Sequence, residues 1–397
     1  MSTDFDHIVI GAGISGLGAA HYASRRGHPS LVLESSERIG GCINSHRFPE
    51  LGGFWSEAGG HTCFNSYGNL LSILDDLGLT GRAQAKGKVS YLLWKGGQRG
   101  SIISALHVWE AVRSLPKIFS IPKEGRSVAA YYGELLGRRN YQDLLRHAFQ
   151  AVICQPADDY PAEALFRRKP RRKDVLKAFT FAGGLSTIPT AIAAQDGVEV
   201  RTGQSVSAIE PDGEGFRVTA GSECLSCRYL TLAVPPDAAT ALMPAGLEAA
   251  REAIAEIGMA EIETLVLAFR AADLGVKPIA GLIAVDDAFY SAVSRDFLAD
   301  PSYRAFSFHF RPGVLDEQGQ VERACIALGT TPRRIAAQAR VHNRLPALRT
   351  GHAKRVGRLD QALSGTHLAV TGNWFLGVSI EDALTRSRSE SDRLFAR

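Results

Sequence analysis

A glycine-rich turn near the N-terminus constrains the fold of this chain more than any other feature. The six residues Gly11-Ala12-Gly13-Ile14-Ser15-Gly16 follow a short apolar run and precede an apolar helical pattern over residues 17–26. A second apolar run at residues 30–33 completes a predicted strand–helix–strand unit. In such a turn, glycines let the backbone approach a diphosphate, and the N–H groups at the helix start stabilise its charge. We therefore predict that a dinucleotide diphosphate is bound by Gly11, Gly13, Ile14, Ser15 and Gly16.

An acidic residue, Glu34, closes the second predicted strand, eighteen residues after Gly16. A carboxylate at this place accepts hydrogen bonds from ribose hydroxyls and disfavours a 2′-phosphate. No second glycine turn of the same kind follows a predicted strand elsewhere in the sequence. The pattern therefore predicts one bound dinucleotide and no separate nicotinamide nucleotide.

The residues after Glu34 resemble a known family. The stretch Glu34-Ser35-Ser36-Glu37-Arg38-Ile39-Gly40-Gly41 is similar to the glycine-rich extension of FAD enzymes in the amine oxidase and protoporphyrinogen oxidase superfamily. Cys42 stands where many members have an arginine. The resemblance implies noncovalent binding of FAD, with contributions from Ser35, Gly40, Gly41 and Cys42.

Three later segments extend the resemblance along the chain. Glu57-Ala58-Gly59-Gly60-His61 is similar to the segment that passes along the flavin ring, and Val206 matches the position that binds adenine through its backbone. Residues 372–382 resemble the second flavin motif, and they also form a glycine-rich turn before a predicted helix, which can stabilise negative charge on a reduced flavin. The cofactor-binding residues that these segments imply are Gly59, Gly60, Val206, Gly372, Asn373, Val378 and Ser379.

These patterns predict an α/β fold with a Rossmann-type, glutathione reductase-like FAD-binding domain and a second α+β substrate domain. The FAD-binding domain is expected to be discontinuous, with residues 1–85, 183–245 and 346–397, and the substrate or cap domain to contain residues 86–182 and 246–345. Residues 101–181 are predicted to be mostly helical. Six aromatic residues of the second domain either line an apolar cavity or pack in a core; they are Tyr131, Tyr132, Phe179, Phe181, Phe306 and Phe308.

The resemblance implies an FAD-dependent oxidase or dehydrogenase that removes two electrons from a small organic substrate, either an amine or a saturated ring, and passes them to O2 or another acceptor. His61 is the candidate catalytic residue because imidazole titrates near neutrality, and a structural histidine is the alternative. Two other functions stay open: a non-redox flavoenzyme similar to UDP-galactopyranose mutase, and a binding protein that retains FAD without turnover.

Composition and charge narrow the remaining possibilities. Hydrophobic residues make up 45% of the 397 residues, charged residues make up 22%, and the formal net charge is +4. These values are typical of a globular protein and fall short of a nucleic-acid-binding protein. Neither a signal peptide nor an apolar run of membrane-spanning length is evident, which favours a cytoplasmic location. The scattered cysteines predict free thiols, most of them buried, and the lone pair Cys224 and Cys227 does not indicate a metal site.

Two segments suggest partners. Residues 167–173 contain six cations, which must face solvent or an anion such as a carboxylated substrate, an acidic carrier protein or an anionic lipid. Residues 102–121 combine Trp109 and other apolar residues with basic ones, and they fit either a membrane surface or a core-facing helix.

Overall fold

The computed structural model describes residues 3–114 and 121–396. Its strands are β1 (Phe5–Ile10), β2 (Ser30–Leu33), β3 (Ser45–Phe48), β4 (Phe54–Glu57), β5 (Cys63–Phe64), β6 (Gln84–Ala85), β7 (Tyr91–Lys95), β8 (Gln98–Ser101), β9 (Ala178–Thr180), β10 (Val198–Arg201), β11 (Val206–Asp212), β12 (Gly215–Ala220), β13 (Glu223–Leu232), β14 (Gly258–Arg270), β15 (Gly281–Ala284), β16 (Phe289–Ser294), β17 (Tyr303–Phe310), β18 (Ile335–Ala347) and β19 (Leu368–Val370). Its helices are α1 (Ile14–Ser24), α2 (Gly68–Asp76), α3 (Val108–Ser114), α4 (Val128–Leu136), α5 (Arg138–Asn140), α6 (Arg146–Ile153), α7 (Thr187–Ala193), α8 (Pro236–Leu242), α9 (Glu248–Ala255), α10 (Glu317–Leu328), α11 (His352–Leu363) and α12 (Ile380–Leu394).

The first large sheet has the strand order β10-β2-β1-β13-β12-β11, and β19 pairs with β13. Strands β10, β2, β1, β13 and β19 run parallel, whereas β12 and β11 are antiparallel additions. Every residue of β2 is buried, as expected for a parallel strand covered on both faces. The N-terminal strand–helix–strand unit predicted from the sequence is therefore present.

The carboxyl ends of these parallel strands bring several predicted site residues to one edge of the sheet. Gly11 follows β1, Glu34 follows β2 and Gly372 lies just beyond β19. Ligands of parallel α/β sheets bind outside this edge, where helix N-termini also point. The sheet thus places three separate sequence motifs beside one another.

The second large sheet has the order β18-β14-β17-β16-β15-β7-β8 and is antiparallel except between β15 and β7. Side chains alternate between its faces. Phe306, Phe308 and Phe310 of β17 pack toward α10, whereas Ser307 and His309 point to the opposite face. That opposite face lies against the hairpin of β3 and β4. The polar groups of the second sheet therefore point toward this hairpin.

The helical prediction for residues 101–181 is right for its centre and wrong for its end. Helices α4 to α6 form as expected, but beyond Ile153 the chain is irregular up to β9, apart from one short 3-10 turn. Pro156, Pro161 and Pro170 remove backbone donors from this stretch, which explains why no α-helix continues there. Residues 115–120 lie outside the described part of the chain. None of the helices in the described ranges is long and apolar enough to cross a membrane.

Candidate cofactor and substrate site

The glycine turn at the N-terminus has the geometry that a bound diphosphate needs. Gly11 has a φ of 102°, and a Cβ on it would lie 2.6 Å from the carbonyl oxygen of Ala233. A Cβ on Gly16 would overlap the carbonyl oxygen of Gly11. Helix α1 begins directly after Gly13, and no side chain caps it or adds negative charge to its first turn. Its N-terminal N–H groups are therefore free of the usual side-chain acceptor and open to an anion.

A second glycine loop closes against the first. The N–H of Gly40 donates to the carbonyl oxygen of Ala12 at 2.8 Å, and Gly40 forms a parallel bridge with Gly13. A Cβ on Gly41 would come within 3.2 Å of the Cα of Gly13. Arg38 fixes this loop by donating to three of its carbonyl oxygens, those of Ile39, Gly41 and Ile43. The two loops form one backbone cradle that larger residues would fill.

Glu34 makes hydrogen bonds both to this cradle and to the stretch of chain just before β11. Its Oε2 accepts from the N–H of Ala12 at 2.8 Å, and its Oε1 accepts from the N–H of Ser36 at 3.0 Å. Its own carbonyl oxygen accepts from the N–H of Gln204, two residues before Val206 at the start of β11. The predicted ribose-binding and adenine-binding positions therefore lie on adjacent stretches of chain.

These features fit an adenine dinucleotide. An uncapped helix start, a cradle that Cβ atoms would fill and an adjacent carboxylate are the parts that a diphosphate and a ribose require. Ser35 adds a hydroxyl 3.4 Å from the Glu34 carboxylate, whereas Cys42 is exposed and uses its carbonyl oxygen to accept from the N–H of Gly60 at 2.9 Å. The residues present are thus compatible with FAD.

Residues 57–61 lie between this cradle and the second sheet. On one side, a Cβ on Gly59 would overlap the carbonyl oxygen of Cys42. On the other side, the Ser307 hydroxyl donates to the carbonyl oxygen of Glu57 at 2.6 Å, and the Asn343 amide donates to that of Ala58 at 3.0 Å. The segment implied to follow the flavin ring is therefore held between the second glycine loop and polar groups of the second sheet.

Three basic side chains lie at this segment: His61, which ends it, and His309 and Lys86 beside it. His61 hydrogen-bonds through Nδ1 to the Thr62 hydroxyl at 2.9 Å, and His309 contacts the Thr264 hydroxyl at 3.0 Å. Burial, Lys86 and His309 together lower the pKa of His61 to about 3, and burial lowers the pKa of His309 to about 4. This environment therefore disfavours the protonated ring of His61 and lowers its pKa below the neutral range that the sequence suggested. Its place beside a flavin stays a prediction.

Lys86 is a site residue that the sequence did not reveal. Its Nζ donates to the carbonyl oxygen of His61 at 3.0 Å and to the Thr62 hydroxyl at 2.5 Å, and it lies 3.6 Å from the centre of the Phe297 ring. Burial lowers the pKa of the ammonium group to about 8, against the opposing effect of Glu57. No motif or periodicity marks this lysine, because its neighbours come from distant parts of the chain.

Glu57 is a buried carboxyl group with few charges around it. It accepts from the N–H of Leu185 and from the Ser45 hydroxyl, both at 2.8 Å. Burial raises its pKa to about 7, although these hydrogen bonds and the cations Lys86 and Arg295 oppose the shift. The unfolded chain ionises this group from about pH 4.5, so its contribution to stability is lost as the pH rises from about 4.5 to about 7.

The variant Glu57→Gln is expected to remove that pH dependence. Glutamine keeps an acceptor for Leu185 but cannot ionise, so the variant should gain stability relative to the wild type by up to about 3 kcal/mol between pH 4.5 and pH 8. Chemical denaturation of both proteins across this range measures the difference. The titration of His61 and His309 is common to both proteins and cancels in the difference between their free energies of unfolding. A difference that stays constant with pH would contradict the raised pKa of Glu57.

The C-terminal motif combines core residues with an open turn. Trp374 and Phe375 are buried and stacked on each other, and a Cβ on Gly372 would overlap the Trp374 indole. This part of the motif therefore packs in the core beneath the turn. Asn373 is partly exposed, and Val378 is partly buried against the core. Ser379 caps α12 by accepting from the N–H of Asp382 at 3.1 Å.

The hydroxyl of Ser379 is occupied by other protein groups. It donates to Asp382 at 2.5 Å, and the Lys169 ammonium lies 3.4 Å from it and 2.7 Å from the Asp382 carboxylate. Any contact of Ser379 with a flavin would therefore use its backbone. Lys169 comes from the basic run, so one of the cations expected to face solvent or an anion pairs instead with a protein carboxylate.

The structure bears on two pairs of alternatives from the sequence. The aromatic residues Phe179, Phe181, Phe306 and Phe308 are at most 2% exposed and belong to packed cores, whereas Tyr131 and Tyr132 are partly exposed. In the described part of residues 102–121, none of the side chains is buried, and Trp109 is 84% exposed. Ile102 and Ala105 nevertheless pack against a small core cluster, so the core-facing alternative is wrong for the outward side chains of Val108, Trp109 and Val112 but not for the whole segment.

Comparison with known proteins identifies the relatives of this chain. The family model described as flavin containing amine oxidoreductase matches residues 14–179 and 162–275, which together exceed half of the chain. Bovine (Bos taurus) protoporphyrinogen oxidase is 24% identical, with 98% of each chain covered. An L-amino acid dehydrogenase of Synechocystis sp. is 23% identical over 59% of this chain, and the match spans only 57% of that relative's length.

A solved structure shows the same fold. The crystal structure of a provisionally named protoporphyrinogen oxidase from Exiguobacterium sp. 255-15 matches with a TM-score of 0.79, 16% sequence identity and 99% of each chain covered. The predicted α/β class is thus confirmed as a mixed α/β fold of the FAD-dependent amine oxidase type. The family match also confirms the predicted resemblance, the FAD cofactor and the assignment to the flavin-dependent oxidoreductases. The chain belongs to the flavin-containing amine oxidoreductase family.

Proposed function

We propose that the protein is an FAD-dependent oxidase or dehydrogenase that removes two electrons from a small organic substrate, an amine or a saturated ring, and passes them to O2 or another acceptor. The observation that carries this proposal is the position of residues 57–61, between the glycine cradle on one side and polar groups of the second sheet on the other. A ring laid along this segment would have the cofactor-binding motifs on one side and a separate sheet to hold the substrate on the other.

The proposal includes a division of the chain. Residues 1–85, 183–245 and 346–397 would form a Rossmann-type, glutathione reductase-like FAD-binding domain, and residues 86–182 and 246–345 a substrate domain. The first large sheet draws all of its strands from the former ranges. The second sheet takes its strands from the latter ranges, apart from the last two residues of β18.

The roles of the protein groups follow from their contacts. The N–H groups at the start of α1 would bind the diphosphate, Glu34 the ribose and the turn before α12 the reduced ring. Bound FAD would supply the acceptor for the hydride of a substrate C–H bond, while the neighbouring N–H or C–H group loses its proton and the C–N or C–C single bond between them becomes a double bond. Neutral His61 and His309 would orient the substrate by hydrogen bonds, and the Lys86 ammonium would stabilise negative charge near the ring.

An anaerobic reduction experiment tests the function. The FAD-loaded protein is mixed without oxygen with panels of amines, amino acids, porphyrinogens and saturated cyclic compounds, and the flavin absorption near ~450 nm is followed. We expect one class of compound to bleach this absorption and air to restore it. A protein that binds no flavin would contradict the proposal outright.

The same experiment separates the two alternative functions. Product formation that occurs only after dithionite reduction, without net oxidation of the flavin, would indicate a non-redox flavoenzyme similar to UDP-galactopyranose mutase. A yellow protein that no compound of the panels reduces would indicate a protein that retains FAD without turnover. Either result would replace the proposed oxidation.

A further inference from the structure

A cavity of about 670 Å³ is built almost entirely from the basic run. Its lining consists of Ser66, Arg167, Arg168, Lys169, Pro170 and Arg171. The volume falls within the range of small-molecule sites, about 300–1,000 Å³. The cations therefore line a concave pocket that is open to solvent on one side.

The charges around this cavity are not balanced by the protein. Lys169 pairs with Asp382, and Arg172 pairs with Asp75 and Asp174. Over the described residues, Arg168 and Arg171 have no hydrogen-bond or acidic partner, and Arg167 donates only to the carbonyl oxygen of Glu163 at 3.2 Å. Guanidinium groups gathered around one space repel each other, and an anion within it would relieve this repulsion.

The cavity lies next to the C-terminal flavin motif. Lys169, one of its lining residues, contacts both Ser379 and Asp382 in the first turn of α12. A few residues earlier, the carbonyl oxygen of Ala164 lies 2.7 Å from where a Cβ on Gly377 would stand, so the two segments run side by side. A ligand in the cavity would therefore lie beside the turn that is proposed to face the ring.

We propose that this cavity binds the charged end of the substrate, and that the substrate is a small molecule with at least two carboxylate or phosphate groups. The inference rests on the proposed function, because it assigns the anion to the molecule that is oxidised. Arginine is suited to this role because its planar donors bind carboxylate or phosphate oxygens in pairs. A site of this volume fits a small molecule better than the broad face that an acidic protein or a lipid surface would need.

Calorimetric titration of the FAD-loaded protein tests the site. Inorganic pyrophosphate and citrate are titrated separately at constant ionic strength, and the bound FAD keeps pyrophosphate out of the glycine cradle. The triple variant Arg167→Gln, Arg168→Gln, Arg171→Gln is expected to bind the preferred anion at least about tenfold more weakly than the wild type. The matching triple lysine variant keeps the positive charge but loses the paired donors of arginine. Its affinity for the anion should therefore lie between those of the wild type and the triple glutamine variant.

A second triple variant controls for the loss of charge alone. Arg270→Gln, Lys277→Gln and Lys354→Gln removes three exposed cations that lie outside the cavity. It should bind both anions as the wild type does. Tighter binding of citrate would indicate a carboxylate ligand, and tighter binding of pyrophosphate would indicate a phosphate ligand. Either preference supports the proposal.

Three results would overturn the proposal. They are the absence of binding by either anion, equal weakening in both glutamine variants, and arginine-dependent binding of phosphatidylglycerol vesicles without binding of the small anions. The FAD content and melting temperature of each variant show whether the fold and the cofactor site are intact. If the flavin stays yellow with every substrate class while pyrophosphate or citrate binds through these arginines, the proposed oxidation fails but the anion site stands.

Discussion

The variant Gly16→Ala is expected to purify without colour and to bind added FAD at least about 100-fold more weakly than the wild type, a loss of about 2.7 kcal/mol. The new methyl group would overlap the carbonyl oxygen of Gly11 and lie 3.0 Å from the Cβ of Ala233. Neither neighbour is the end of a flexible side chain, so the turn itself must move. Flavin content after purification and fluorescence titration with FAD measure the effect.

The turn cannot move without disturbing its other contacts. The carbonyl oxygen of Ala12 accepts from Gly40, and the N–H of Ala12 donates to Glu34, so one displacement would alter both glycine loops and the proposed ribose-binding carboxylate. Overpacking of this kind also costs about 1–3 kcal/mol of folding stability. A lower melting temperature should therefore accompany the loss of FAD.

The variant Gly357→Ala provides a matched control. Gly357 is an exposed residue within α11, and a Cβ on it would meet nothing within 4 Å. Alanine is favoured over glycine inside a helix by about 1 kcal/mol, so this variant should keep FAD and be slightly more stable. Normal FAD binding by Gly16→Ala would show that the turn does not lie against the cofactor.

The cofactor half of the site could be predicted from the sequence because its determinants are local. Strand, glycine turn and helix follow one another within residues 5–24, and Glu34 directly follows the very next strand. Each carries a signal that depends on chain order alone: a glycine spacing, an apolar run or a carboxylate at a fixed distance. The parallel sheet then brings the separate motifs together at one edge without further information.

The substrate half could not be predicted because it depends on pairing between distant strands. Strand β18 was not predicted, since the segment Ile335–Ala347 carries charged and polar residues along its exposed face and a proline near its end. Its pairing with β14 brings Asn343 to the carbonyl oxygen of Ala58. In the same way, alternation along β17 sends His309 toward the site and Phe308 away from it, which the two residue types alone do not reveal.

Lys86→Met is the second substitution with a large expected effect, and its effect does not depend on knowing the substrate. Removing a partly buried ammonium group beside the proposed ring should lower the two-electron midpoint potential of the bound flavin by about 30 mV, equivalent to about 1.4 kcal/mol. Substrate-driven reduction should slow by about 100-fold, as when other donors that stabilise developing charge are removed. Reductive titration with a reference dye measures the potential.

The effect of Lys86→Met on the potential should depend on pH in a way that a structural defect would not reproduce. The pKa of Lys86 is about 8, so the wild type carries the charge below that pH and loses it above. The difference in potential between wild type and Lys86→Met should therefore be full at pH 6.5 and should disappear toward pH 9.5. A lysine that only supports the fold would give a difference without this dependence.

Lys88→Met is the control that shows whether the position of the positive charge matters or only the loss of one positive charge. Lys88 lies two residues along the same stretch and is exposed, so water and salt screen its charge. Lys86→Arg should retain the wild-type potential at pH 6.5, because it keeps the cation over Phe297 and near the carbonyl oxygen of His61. If Lys86→Met and Lys88→Met shift the potential equally, the ring does not lie along residues 57–61, and the proposed arrangement of cofactor and substrate between the two sheets is wrong.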